Sequence, residues 1–138
     1  MKGIKNIRLE QYDYTSDGYY FVTICTNQRI PHLTGQIKNV VALFIEHISE
    51  KMEGVSIDYY VIMPTHLHII LILHECKSKL GEIVRRLKAA TSKQMGSKLW
   101  QPNYNEHVIR NEKALSRIRE YIVNNPMAER IEFKQFYE

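Results

Sequence analysis

The sequence predicts an α/β fold: a ferredoxin-like sandwich, an antiparallel sheet with helices on one face plus an additional C-terminal helix. Three observations lead there. Segments of strand character and of helical spacing follow the order β-α-β-β-α-β-α, the split βαβ arrangement with one helix added. The two middle strand segments are separated only by Pro64-Thr65, which makes them an antiparallel hairpin. The 138 residues contain no internal repeat, low-complexity tract or linker, so 1–138 reads as a single domain with a sizeable core.

After a polar lead-in, YYFVTICTN (19–27) is rich in β-branched and aromatic residues and reads as a strand. A loop containing Pro31 and Gly35 follows. VVALFIEHISEKM (40–52) places Val40, Leu43, Phe44, His47, Ile48 and Met52 at helical spacing, and Gly54 ends that helix. SIDYYVIM (56–63) and HLHIILIL (66–73) are the hairpin strands. A second helix over 79–95 turns Leu80, Ile83, Val84, Leu87 and Met95 inward and its bases outward. Ser78 is its expected N-cap, Glu82 suits the helix dipole, and Gly96 is the expected stop. LWQPNYNEHVIR (99–110) is loop followed by a short strand at 104–109. Asn111 then caps a third helix, EKALSRIREYIVNN (112–125), which breaks at Pro126. The remainder, 127–138, reads as a short helix or an extended arm.

Composition narrows the class. An apolar fraction of 44% with 25% charged residues is ordinary for a soluble globular protein. No apolar run approaches the ~20 residues of a membrane-spanning helix. The N-terminus has positive charge but no apolar h-region, unlike a secretory signal. Cys25 and Cys76 are too few for a disulfide framework, and read as reduced core thiols of a cytoplasmic protein. The net charge of +4 is unevenly placed. Residues 77–98 hold seven bases and one acid, a net +6, while the rest holds 12 bases and 14 acids, a net −2. Such a local patch suits a surface facing a polyanion, or is simply a lysine-rich solvated helix face.

Chemistry concentrates in two places. His66 and His68, separated by one residue, share a face of their strand because side chains alternate with period two. Two same-face imidazoles are half of a metal site, or a pair of structural histidines. With no nearby Cys or same-strand carboxylate, a closed structural zinc site is disfavoured. Tyr121 and Asn125 are four apart, one turn from each other on one helix face. The tyrosine is a nucleophile if a cation or base assists it, and the amide oxygen is a suitable hard ligand for Mg²⁺ or Mn²⁺. The plainer alternative makes Tyr121 a core aromatic beside Ile118 and Ile122, and Asn125 a cap before Pro126.

Three segments, VIMPTHLHIILIL, LWQPNYNEHVIRNEKAL and REYIVNNPMAERI, resemble the "MPNHxHxL", "WQxxxxxHxIR" and "YIxxNP" blocks of the HUH-type single-tyrosine transposases. Within them the REP-associated tyrosine transposase branch matches best, in the same order and at similar distances, over roughly residues 15–131. The resemblance implies that His66 and His68 ligate a divalent metal, Mg²⁺ or Mn²⁺, that Tyr121 is the catalytic nucleophile, and that Asn125 is the third ligand. Thr65 departs from the family's usual asparagine. His107 falls in a recurrent block without a ligand role, and reads as structural or DNA-contacting. The implied activity is cleavage and joining of single-stranded DNA at hairpin-forming palindromes through a 5′-phosphotyrosine, with no ATP or nicotinamide site, as the lack of a Gly-rich phosphate loop agrees.

Arg85, Arg86, Lys88 and Lys93 are the expected DNA-backbone contacts. Trp100, Tyr104 and Tyr14 could stack unpaired bases or pack in the core. A monomer is slightly favoured over a swapped homodimer. The alternative function is a domesticated DNA-hairpin-binding protein with little catalysis, which has no need of an intact His66/His68/Tyr121/Asn125 set. An RNA-binding ferredoxin-like module lacks its aromatic-basic blocks here, and a zinc hydrolase lacks a third ligand and a general-base glutamate.

Overall fold

The computed structural model describes residues 17–129 and 131–137, so Tyr14 lies outside the described residues. Strands β1 (Gly18–Cys25), β2 (Val55–Met63), β3 (His66–Leu73) and β4 (Asn105–Ile109) form one sheet in the order β2-β3-β1-β4. Every neighbouring pair is antiparallel. With helices α1 (Gly35–Glu46), a short α2 (Ile48–Lys51), α3 (Leu80–Ser92) and α4 (Glu112–Asn124), this is the expected ferredoxin-like topology with one added helix. A tight turn with left-handed backbone at Gln28 and Arg29 spans Asn27–Arg29, and a short 3₁₀ helix spans Phe133–Tyr137.

Alternation along β1 and β3 builds two cores. Tyr20, Val22 and Ile24 join Leu67, Ile69, Leu71 and Leu73 on one face, beneath Val41 and Ile45 of α1 and Ile83, Val84 and Leu87 of α3. On the other face Phe21, Ile70 and Ile109 are covered by Ala114, Leu115, Ile118 and Ile122 of α4, with Phe136 from the C-terminal turn. The added helix therefore forms a layer of its own, on the face that carries His66 and His68.

Two devices fix α4 there. Asn111 caps it as expected, its Oδ1 accepting from the Ala114 amide at 2.7 Å. A register skip between Ile57 and Tyr59 leaves Asp58 out of the β2–β3 ladder. Its carboxylate takes both the Nε (2.8 Å) and an Nη of Arg119, tying α4 to β2 of its own chain.

The first helix differs from expectation. It begins at Gly35, and the inward stripe is Val41, Ile45, Ile48 and Met52, while Leu43 and His47 are exposed. VVALFI is almost continuously apolar, so two adjacent stripes satisfy helical spacing and packing on the sheet selects between them. Helical geometry also breaks at His47, where φ is −111°. At α3 the N-cap position is Lys79 rather than Ser78, with no side-chain cap bond. The helix ends at Ser92, so Met95 packs on the core from the turn that follows. Both cysteines are buried free thiols, as expected.

Gly54 marks the turn into β2. Its φ is +83°, and a Cβ there would lie 2.7 Å from the His74 carbonyl oxygen. Gly54→Ala should therefore lower stability by more than about 1 kcal/mol, seen as a reduced urea midpoint. An unchanged midpoint would remove the steric argument.

Candidate functional site

Strand register assembles the site. Thr23 of β1 stands opposite His68, Cys25 opposite His66, and on the other side β2 supplies Val61 and Met63 at the same levels. Both imidazoles are fully buried, their ring centroids 4.7 Å apart, and Phe21 stacks on His68 at 5.4 Å. An imidazole so placed must find partners for both nitrogens. His68 Nε2 donates to the Ala128 carbonyl at 2.6 Å, and its Nδ1 accepts from the Thr23 hydroxyl at 2.8 Å. His66 Nε2 donates to the Pro126 carbonyl at 2.9 Å, while its Nδ1 faces Thr65 Oγ1 at 3.1 Å and Glu129 Oε2 at 3.4 Å.

The outward nitrogens of the pair thus meet backbone oxygens of the turn that directly follows α4. Burial, and then the neighbouring His66, lower His68 from an ordinary 6.5 to about 4, leaving it neutral at physiological pH. A neutral imidazole is the form that ligates a metal. Among the described residues no group of three or more His, Cys, Asp or Glu could hold an ion.

Asn125 ends α4. Its backbone N–H and its side-chain Nδ2 both donate to the Tyr121 carbonyl, at 2.8 and 3.2 Å, so a ligand role falls to the amide oxygen. The tyrosine and asparagine are thereby joined to each other, and the chain passes directly from Asn125 to the residues that touch the histidines. Tyr121 itself is half-buried at the margin of the α4 core, its ring edge-on to Phe136 at 5.5 Å. It lines an open cavity of about 460 Å³ with Arg117, Glu120, Asn124, Asn125, Gln135 and Phe136. The histidines do not line that cavity. The four expected site residues thus form two pairs, joined through the turn at 126–129.

Three participants escaped the sequence reading. Glu129 accepts from Thr65 Oγ1 at 2.7 Å and from Arg29 Nε at 2.6 Å. Partial burial works to raise its carboxyl, but hydrogen bonds from Arg29 and Thr65 and the nearby His66 outweigh that and hold it below the usual range. Thr23 shares a face of β1 with Phe21 and Cys25, but only the strand register shows that it meets His68. Arg29 is the lone Lys, Arg, Asp or Glu of residues 18–37, a signal that went unused.

The basic helix resolves into different roles. Arg86 and Lys93 are exposed, and Arg85 is exposed but paired with Glu82 in the same helix. Lys88 is half-buried and donates to the carbonyls of Gln101, Pro102 and Asn103 at 2.7, 3.1 and 3.3 Å, which makes it a brace for the loop before β4. Burial, with Lys98 nearby, lowers its ammonium from the ordinary value. Trp100 is buried and its Nε1 donates to Thr91 Oγ1 at 2.9 Å, so it packs rather than stacks bases. Tyr104 is half-buried against the same core. His107 is structural: its ring stacks on Phe133 at 3.9 Å and its Nε2 meets Tyr137 Oη at 3.0 Å, docking the C-terminal turn.

Residues 14–125 match the family described as "Transposase IS200 like", and the chain belongs to that family. A REP-associated tyrosine transposase of Escherichia coli is 30% identical over 83% of this chain and 69% of its own length. An uncharacterised Haemophilus influenzae protein is 37% identical over 89% of this chain and 88% of its own. A REP-associated tyrosine transposase solved bound to a REP hairpin superimposes with a TM-score of 0.71 at 27% identity, over 90% of this chain and 73% of that one. Among the described residues no helix is long and apolar enough to cross a membrane.

The stability supplied by a neutral, buried His68 is fully present above about pH 6.5 and is lost as the pH falls through about 4, because the unfolded chain takes up the proton first. Denaturant midpoints between pH 7 and pH 4 should fall for the wild type and fall less for His68→Gln. Parallel declines would mean that His68 is not the group responsible.

Proposed function

We propose that this chain is a metal-dependent transposase that cleaves and rejoins single-stranded DNA beside hairpins through a 5′-phosphotyrosine on Tyr121. One observation carries the reading in a chain of this family. The buried Nε2 atoms of His66 and His68 converge on oxygens of the turn that directly continues the helix bearing Tyr121 and Asn125. A change in that turn would open both nitrogens while moving the end of the same helix.

Two imidazoles joined by an amide oxygen would make a mixed donor set with room for water and phosphate, which suits a divalent cation such as Mg²⁺ or Mn²⁺. His66 and His68 would hold it with the Asn125 amide oxygen. Once bound, the ion would draw charge from the scissile phosphate. Thr23 keeps the His68 ring in orientation from behind, and Thr65 with Glu129 does so for His66. Tyr121 attacks phosphorus through its phenolic oxygen as the bond to the 3′ oxygen breaks. Tyr121 gives up its phenolic proton in the attack and the leaving oxygen gains one to become a free 3′-hydroxyl, while the 5′-phosphate stays on the tyrosine. A second 3′-hydroxyl reverses the step, expelling Tyr121 and joining a new strand. Phosphodiester bonds are conserved throughout, so no nucleotide cofactor is needed.

Substrate reach follows from the layers. Arg86 and Lys93 on α3 offer backbone contacts on the sheet face opposite the histidines. A cavity at the start of α3, lined by Lys77, Lys79 and Tyr104, and a second one lined by Thr23 and Glu129 share Glu106 on the β4 edge. A strand leaving a hairpin could pass around that edge. The partner seen with the superimposed relative, a REP hairpin, is the substrate class proposed here. Packing of α4 on its own sheet, with Arg119 on its own Asp58, supports a tyrosine acting within a monomer. The alternative, a hairpin binder without catalysis, has no need of Tyr121, Asn125, His66 and His68 together.

Tyr121→Phe should abolish a denaturation-resistant protein–DNA adduct while hairpin binding persists; an adduct formed by the Phe variant would name another nucleophile. His66→Ala should remove cleavage that depends on Mg²⁺ or Mn²⁺, and undiminished cleavage would discard the metal assignment. Arg86→Glu combined with Lys93→Glu should weaken hairpin binding roughly tenfold or more and flatten its salt dependence. Unchanged affinity would move the binding surface elsewhere.

A further inference from the structure

We infer that Arg29 is a phosphate-contacting residue of this site, held on Glu129 until a DNA strand takes its place. The inference rests on the DNA-cleaving reading above and adds a residue to it.

The loop carrying Arg29 is built for position. Gln28 and Arg29 have φ of 56° and 53°, two consecutive non-glycine residues in the left-handed region. Such conformations persist only where surrounding structure imposes them, and they gather at functional sites. Here the imposing structure is the histidine turn itself. The Thr26 amide and hydroxyl both donate to the Thr65 carbonyl, at 2.9 and 3.2 Å, and the Asn27 amide donates to Leu99. Thr65 immediately precedes His66, so the strained loop and the first histidine share one anchor.

Arg29 is then aimed at the imidazoles across a single carboxylate. One oxygen of Glu129 takes Arg29 Nε at 2.6 Å, and the other lies 2.7 Å from Thr65 Oγ1 and 3.4 Å from His66 Nδ1. A guanidinium fork recognises carboxylate and phosphate by the same planar geometry. The arginine is largely exposed, with a side-chain relative accessibility of 62% against 25% for Glu129. Ion pairs as exposed as this are weakly held and easily exchanged. Glu129 also belongs to the turn whose Pro126 and Ala128 carbonyls cover the two Nε2 atoms. When that turn gives way to substrate, Arg29 loses its carboxylate at the same time as the histidines lose their carbonyls. A phosphate oxygen beside His66 then meets an arginine already held in place.

The test uses the full chain in a Tyr121→Phe background, so that binding is read without chemistry. Hairpins with a single-stranded flank are prepared with one neutral methylphosphonate linkage at each flank position in turn. At one linkage at or next to the cleaved bond, neutralisation should cost the protein with Arg29 about tenfold in affinity, and the Arg29→Met protein less than twofold. Glu129→Gln should tighten flank binding severalfold when Arg29 is present and not when it is Met. Guanidinium ion should partly restore adduct formation to Arg29→Ala with Tyr121 intact.

Equal cost at every linkage in both proteins would overturn the inference, as would Glu129→Gln acting the same with and without Arg29. Binding of the flank without any adduct from the wild type would sink the enzymatic reading alone, because the linkage scan still reports on Arg29. Failure to bind any hairpin would sink both.

Discussion

Everything distinctive in this chain follows from placing two imidazoles side by side on an otherwise apolar sheet face. An unpartnered polar group in that setting costs on the order of 1–3 kcal/mol, so four ring nitrogens must be matched. The inner partners come from neighbouring residues: Thr23 across the β1–β3 register, and Thr65 one position before His66 with Glu129 beside it. The outer partners come from the chain after α4, through the carbonyls of Pro126 and Ala128. The histidine pair and the end of the tyrosine helix are consequently parts of one hydrogen-bonded unit.

That unit explains the second layer. A ferredoxin-like sheet needs helices on only one face, and α1 and α3 provide them. The opposite face is closed by α4 and the C-terminal turn, held by Asn111, the Asp58–Arg119 pair, and the stacking of Phe133 on His107. These anchors secure the body of α4 while its last residue leads into the turn that covers the histidines. Opening of that turn can then expose Nε2 atoms without unfolding the helix. Phe136 lies edge-on to Tyr121, which places that tyrosine under the same layer.

Element order, sheet type and the added helix were legible in the sequence because β-branched runs, a two-residue hairpin and a clear cap at Asn111 leave few alternatives. The phase of α1 was not, since VVALFI satisfies two stripes equally. The shared face of His66 and His68 followed from period two alone. Their partners did not, because the Thr23–His68 register depends on alignment between distant strands. For Trp100 the sequence left base stacking and core packing both open, while Lys88 read as a DNA contact. Only the loop over 99–104 folding back on α3 shows that the first packs and the second braces carbonyls. Glu129 lies beyond the last periodic segment, where the sequence offers no pattern that would reveal it.

The central claim is that the histidine nitrogens now meeting the turn after α4 are the ones that serve the phosphate attacked by Tyr121. The most direct measurement is a crystal structure of the chain with Mn²⁺ and a hairpin bearing a single-stranded flank, the ion located by anomalous scattering. The account predicts the ion within coordinating distance of both Nε2 atoms, the Pro126 and Ala128 carbonyls withdrawn, and the Tyr121 oxygen facing the phosphate. An ion bound elsewhere, with those carbonyls still on His66 and His68 while DNA is engaged, would contradict it.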